Sequence, residues 1–277
     1  MSYNILLSPS EEKILESKEY NLTNIQNYNS SSFLSHLWKN DEIEPHRRNI
    51  YEIYIKYIQQ IKNSMDCKIL IDLYGAKQSN SKIEYEISTI LSRHNKHTQY
   101  LMPAIYRYAG VAFQGLDYSN LPQNAKNIIL NNVLIFSNLF GAIRASDMIP
   151  FYKLKQGSKL YKLSLKEVYN PFISILESIQ NEVIIDLRAN IYAKIWSPKD
   201  CLHLFFEFYK NGKTISHYAK LYRGKILRLI SLHLSKLDNV SKSDIMEFLL
   251  NLNSAEICFM ACKEKANMQI LQYEIKC

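Results

Sequence analysis

Val183-Ile-Ile-Asp-Leu-Arg188, then Tyr192 and Trp196, then Leu202-His-Leu-Phe-Phe-Glu-Phe-Tyr209 form the stretch on which the reading of this chain turns. Two runs rich in β-branched and aromatic residues, each leading into polar and basic side chains, read as buried strands whose ends carry charge to the edge of a sheet. Asp186 and Arg188 are two apart, so on a strand they share a face; they either pair with each other as a structural ion pair or hold one ligand between them. A Lys210-Asn-Gly-Lys213 turn follows, and Ser216, His217, Lys220, Arg223, Lys225 and Arg228 then enter a helical pattern. Cations and free backbone N–H groups at a helix start suit an anion, above all a phosphate; the competing reading is a solvated basic face.

Charge supports the same region. The chain has 277 residues and a formal charge of +8. From Phe151 to Lys236 there are fifteen Lys and Arg against six Asp and Glu, so this one segment carries the whole excess. A local excess of this kind points to an anionic partner, nucleic acid first. No stretch has the length and apolarity of a membrane span, and the start of the sequence has neither the basic nor the apolar region of a secretory signal, so a cytoplasmic protein is expected. Five scattered cysteines suit a reducing compartment. Cys258 and Cys262 lack a second pair for zinc, and no dinucleotide, P-loop or nucleophile-elbow pattern appears, so neither a metal nor a cofactor is expected.

Working outward, Ile5-Leu6-Leu7 reads as a strand breaking at Ser8-Pro-Ser-Glu-Glu-Lys13, a turn that brings two hydroxyls, two carboxylates and a lysine to a strand end; alternatively Ser10 only caps a helix. Residues 50–63 and 82–94 have helical period, and 67–74 fits a strand or a helix. Met102 to Leu116 mixes Tyr106, Arg107 and Tyr108 with Gly110 and Gly115 near a strand, a combination that either clamps a base or sugar or forms a bulged core strand. Asn132–Phe140 is strongly apolar and leads into Arg144, Asp147 and Tyr152. Ser241-Lys-Ser-Asp244 reads as a capping box, and 255–261 with 268–275 as paired strands. With no repeat and no Pro- or Gly-rich linker, one α+β domain is the economical architecture.

Five of these blocks, in order, resemble the YaaA peroxide-stress protein family: Leu6–Lys13, Ala104–Val111, Phe136–Arg144 continuing through Asp147–Pro150 to Tyr152, Asp186–Arg188 with Tyr192, and Ser216–Lys220 with Arg223–Lys225. Residues 20–100, a mainly helical region, match poorly. The resemblance implies one domain over 1–277, a mixed sheet with surrounding helices shaped like a cantaloupe slice, with a basic cleft. It also implies sequence-independent binding of duplex or branched DNA and protection against hydrogen peroxide. A helix-hairpin-helix-like element goes with the family, and its counterpart here is Ser137–Ala142, with Asn138 at the first glycine.

The side chains themselves suggest a pocket. DNA gripped by its backbone calls for Lys and Arg, whereas Glu11, Asp147 and Asp186 repel phosphate. Two functions are therefore expected from this sequence. In the first, Arg144, Arg188, Lys220, Arg223, Lys225 and Arg228 hold DNA. In the second, an enzyme acts on a nucleotide-like or other small polar molecule, with Glu11, Lys13, Asp186 and His217 in catalytic roles and Ser10, Tyr108, Asp147, Tyr152, Tyr192 and Ser216 lining the pocket.

Overall fold

Strands that are apolar along their whole length are strands covered on both faces, and such strands pair in parallel. In the computed structural model Tyr3–Leu7 (β1), Val133–Ser137 (β3) and Val183–Leu187 (β6) are of this kind, buried at nearly every position. The structure describes residues 1–16, 32–64, 66–95, 100–160, 162–178, 181–215 and 218–276. These fall into two compact units, Met1–Ser8 with Gly110–Ile135 and Leu176–Cys277, and Pro9–Ala109 with Phe136–Ile175. The fold is α+β, a mixed sheet with helices.

In the first unit β1 runs parallel to both β3 and β6. β6 pairs in parallel with Leu202–Lys210 (β7), and β7 with Met268–Ile275 (β10). Ile257–Lys265 (β9) lies antiparallel to β10, giving the order β3-β1-β6-β7-β10-β9. The Asn211-Gly212 pair, both at positive φ, reverses β7 into the short strand Lys213–Thr214 (β8), as an Asn-Gly hairpin turn requires. Helices Val111–Leu116 (α5), Gln123–Asn132 (α6), Ala219–Leu234 (α10) and Lys242–Leu250 (α11) complete this unit, together with the single turn Asn190–Ala193 (α9). Ser241 and Asp244 cap α11 reciprocally, as the sequence pattern indicates.

The second unit is mainly helical: Asn40–Ser64 (α1), Cys67–Tyr74 (α2), Ser81–Asn95 (α3), the single turn Ala104–Arg107 (α4) and Leu165–Tyr169 (α7). Met102–Pro103 (β2) pairs antiparallel with Met148–Ile149 (β5), Gly141–Arg144 (β4) precedes it, and Phe172–Ser178 (α8) begins here and ends in the first unit. The stretch 67–74, open between strand and helix on the sequence, is helical because Asp66 accepts the Lys68 and Ile69 N–H groups at its start and Gly75, at positive φ, closes its end.

Two expectations change. Residues 102–116 are not a bulged core strand: the two-residue strand Met102–Pro103 and then two short helices divided at Gly110 take that stretch, and Arg107, expected to clamp a base or sugar, is completely buried. Ser137–Ala142 is a tight turn between β3 and β4, not a helical hairpin. The Leu139 and Phe140 N–H groups both donate to Ser137 Oγ, and all four residues from Ser137 to Phe140 are buried, so these amides are consumed within the fold.

Candidate functional site

Lys13 is set by the backbone on both sides of it. Ala109 N–H donates to the Glu12 carbonyl and Ile14 N–H to the Arg107 carbonyl, strapping the segment after β1 to the end of α4. Arg107 fastens the strap from below: its guanidinium donates to the carbonyls of Ile14, Leu15, Tyr100 and Ile149. With the backbone fixed, the Lys13 amine lies 4.0 Å from the centre of the Tyr152 ring and 5.3 Å from that of Tyr108, and donates to the Ser10 carbonyl at 2.8 Å. Among the described residues no carboxylate is within ion-pair distance of it. Burial, reinforced by the positive charges of Lys153 and Arg107, pulls the amine well below the ordinary lysine range, against a smaller opposing pull from Glu11 and Glu86.

Beneath the amine is a hydrogen-bond network whose directions are fixed by its ends. Asn138 Nδ2 donates to the Leu154 carbonyl, so Asn138 Oδ1 accepts the Tyr152 hydroxyl at 3.0 Å. The Tyr152 oxygen then accepts from Tyr108, 2.8 Å away, and from Ser137, 3.0 Å away, since its own proton is already committed. Burial raises the Tyr108 phenol to about 12, so it stays protonated. Nearby, Glu11 accepts the Gln156 N–H and Ser10 Oγ the Glu12 N–H; the described residues that follow Ser10, 11–16, form no helix for it to cap. Asp147 accepts the Trp38 and Arg144 N–H groups; burial pushes its carboxyl up and these bonds hold it back only in part. The Arg144 side chain is exposed.

In the first unit Asp186 and Arg188 form a closed knot. Asp186 accepts the Arg188 backbone N–H at 3.0 Å, Nε at 2.8 Å and Nη2 at 2.6 Å, while His203 Nε2 lies 3.0 Å from its second oxygen. Both residues are wholly buried. The rest of the guanidinium donates to the Tyr192 and Trp196 carbonyls, and Ser8 Oγ accepts the Ala189 N–H just beyond. Burial pushes the Asp186 carboxyl up, but Arg188 and then His203 outweigh it and hold it at about 2.

The cations of α10 divide. Lys220 is exposed. Arg223 is half-buried, its Nε lacking a hydrogen-bond partner among the described residues, and burial lowers its pKa. Lys225 pairs with Glu256 at 2.5 Å, and Arg228 caps the end of α5 through the Leu116 and Asp117 carbonyls while facing the Asp117 carboxylate at 3.3 Å. Ser216 and His217 lie outside the described residues. The structure thus brings Lys13, Tyr108 and Tyr152 together in one unit, and Asp186, Arg188 and Tyr192 in the other. Ser137 and Asn138, expected in the sequence only as part of a DNA-binding hairpin, and His203, not singled out there, join these groups. His203 stands in an apolar run, and only the parallel register that pairs it with Ile184 brings it to Asp186.

The model of the family described as peroxide stress protein YaaA matches residues 3–254. An uncharacterized protein of Campylobacter jejuni is 35% identical over 269 residues, covering 96% of this chain and 99% of that protein. A UPF0246 protein of Fusobacterium nucleatum is 26% identical over 263 residues, 89% and 93% of the two chains, and one from Corynebacterium glutamicum is 37% identical over 139 residues, 47% and 55%. The chain belongs to the peroxide stress protein YaaA family.

Proposed function

We propose that this member of the family contributes to the peroxide response through chemistry on a small polar molecule at the Lys13 site. The Lys13 amine carries the reading: it sits against two phenol faces, has one hydrogen bond and no carboxylate partner among the described residues, and burial favours its neutral form. A neutral amine at physiological pH is a base and a nucleophile, whereas a solvated ammonium is neither. In this reading Lys13 reacts, Tyr108 and Tyr152 shape the floor of the site, and Asp186 with Arg188 serves the fold. Competitive acylation of the lysines across a pH series tests it. Lys13 should lose its proton far below the solvent lysines, with the signal absent from Lys13→Met. A Lys13 that titrates together with the surface lysines would sink the reading.

A second reading, binding of duplex or branched DNA without sequence preference, is favoured by the charge excess between Phe151 and Lys236 and by the exposure of Lys220, with Arg144 beside that segment. The steep fall of affinity with salt that phosphate contacts produce is its signature. DNA binding measured over a salt series should weaken and flatten in an Arg144→Ala/Lys220→Ala double variant. Lys225→Ala should change it less, because Glu256 already takes that charge. Absence of binding at near-physiological salt would remove this function.

A further inference from the structure

An amine held against aromatic faces, beside other cations and outside ion-pair distance of a carboxylate, is the arrangement in which lysines attack carbonyl carbons. Lys13 meets each part of that description. Its surroundings narrow the partner further: the charges that act on it most strongly are Lys153, Glu11 and Arg107, and the Arg107 guanidinium is turned wholly to backbone carbonyls. Lys153 is only half-buried, and its backbone N–H is held by the Tyr54 hydroxyl, which fixes the start of its side chain beside the site. An anionic group on the incoming molecule would find its counter-charge there.

We infer that Lys13 forms an imine with a small anionic carbonyl compound, a 2-oxo acid or a phosphorylated aldehyde. The inference rests on the Lys13 reading above and adds the class of substrate. The step balances without any further reactant: the nitrogen lone pair attacks the carbonyl carbon, the C=O π electrons go to oxygen, both amine protons leave with that oxygen as water, and C=N remains. The phenols of Tyr108 and Tyr152 keep bulk water from one side of the amine, which protects an imine from hydrolysis.

The test is reductive trapping on the full chain. Protein is incubated near neutral pH with pyruvate, with ribose 5-phosphate or with neutral acetone, then treated with cyanoborohydride and mapped by peptide mass spectrometry. The neutral fraction of an amine rises about tenfold for each unit by which its pKa falls. Trapping at Lys13 should therefore exceed that at any surface lysine by about tenfold or more, and one of the two anionic probes should exceed acetone. Lys13→Arg should abolish the labelled peptide, and Lys153→Gln should reduce labelling by the anionic probes more than labelling by acetone, which falls only through the rise in the Lys13 pKa that loss of this charge brings. Circular dichroism establishes that both variants are folded. Labelling spread evenly over the lysines would overturn the inference. So would a Lys13 that acylates at low pH but traps no carbonyl, an outcome that leaves the broader reading standing; a Lys13 that titrates like a surface lysine removes both.

Discussion

Gly224 on α10 lies directly against the backbone of α5 at Ala112, and Gly115 on α5 lies against α10 at Leu221. A Cβ on Gly224 would come within 1.8 Å of the Ala112 carbonyl oxygen, and one on Gly115 within 2.3 Å of the Leu221 carbonyl oxygen. Neither obstacle is a side-chain end that can swing away, so the helices would have to part. Gly224→Ala should destabilise the protein by about 3 kcal/mol, at the upper end of what overpacking costs, although alanine is the better helix former. Urea unfolding with an unchanged slope and a lowered midpoint is the expected result.

The Asp186–Arg188 knot sets an acid limit on stability. Asp186 has an ordinary value of 3.8 and is held at about 2 in the folded chain, so it binds fewer protons folded than unfolded. Its contribution is complete above pH 4 and disappears as pH falls toward 2. Asp186→Asn leaves a buried guanidinium without its counter-charge and should cost about 3–5 kcal/mol at neutral pH. In that variant the part of the acid transition between pH 4 and 2 should flatten.

Lys13 gives a slope of the same sign at the alkaline end of the scale, through a penalty instead of a contribution. Its folded value lies well below the ordinary 10.5, so the unfolded chain holds a proton that the folded chain has released between those two values. Stability then rises with pH across that window, by at most about 1.4 kcal/mol per pH unit for one proton. Lys13→Met should be more stable than the parent at neutral pH, and the difference should shrink as pH approaches 10.5, as followed by thermal melts.

Arg47, buried on α1, donates to the carbonyls of Phe140, Ala142 and Trp38, at 2.9, 2.8 and 2.7 Å. Arg47→Met keeps most of the volume and strands these acceptors. Leaving one buried acceptor unpaired costs about 1–3 kcal/mol, so a loss of about 3 kcal/mol or more is expected, with hydrogen exchange speeding up around 138–142.

The strands were legible because burial on both faces writes itself as a continuous apolar run, which is why 183–187 and 202–209 stand out. The Asn211-Gly212 turn and the Ser241 capping box were legible because both are settled by neighbouring residues. The stretch 102–116 was not: Arg107 looks like a clamp until the carbonyls of Ile14, Tyr100 and Ile149, from three separate segments, are seen to hold it. The same holds for the cations of α10. Nothing near Lys225 or Arg228 in the sequence announces Glu256 or the end of α5 as their partners. Lys13, Tyr108 and Tyr152 could each be named as residue types, but the backbone strap that stacks them depends on pairings between distant segments.

β1 has one further consequence, for the order in which the chain acquires its shape. The strand Tyr3–Leu7 precedes both of its neighbours in the chain and is completed only when Val183–Leu187 arrives to form its second flank. Until then an apolar ribbon with an open edge travels with the nascent chain. Such long-range parallel pairing slows folding and leaves the edge available to other chains. Synthesis stalled between β3 and β6 would release fragments whose β1 edge is still open, and such fragments are prone to aggregate.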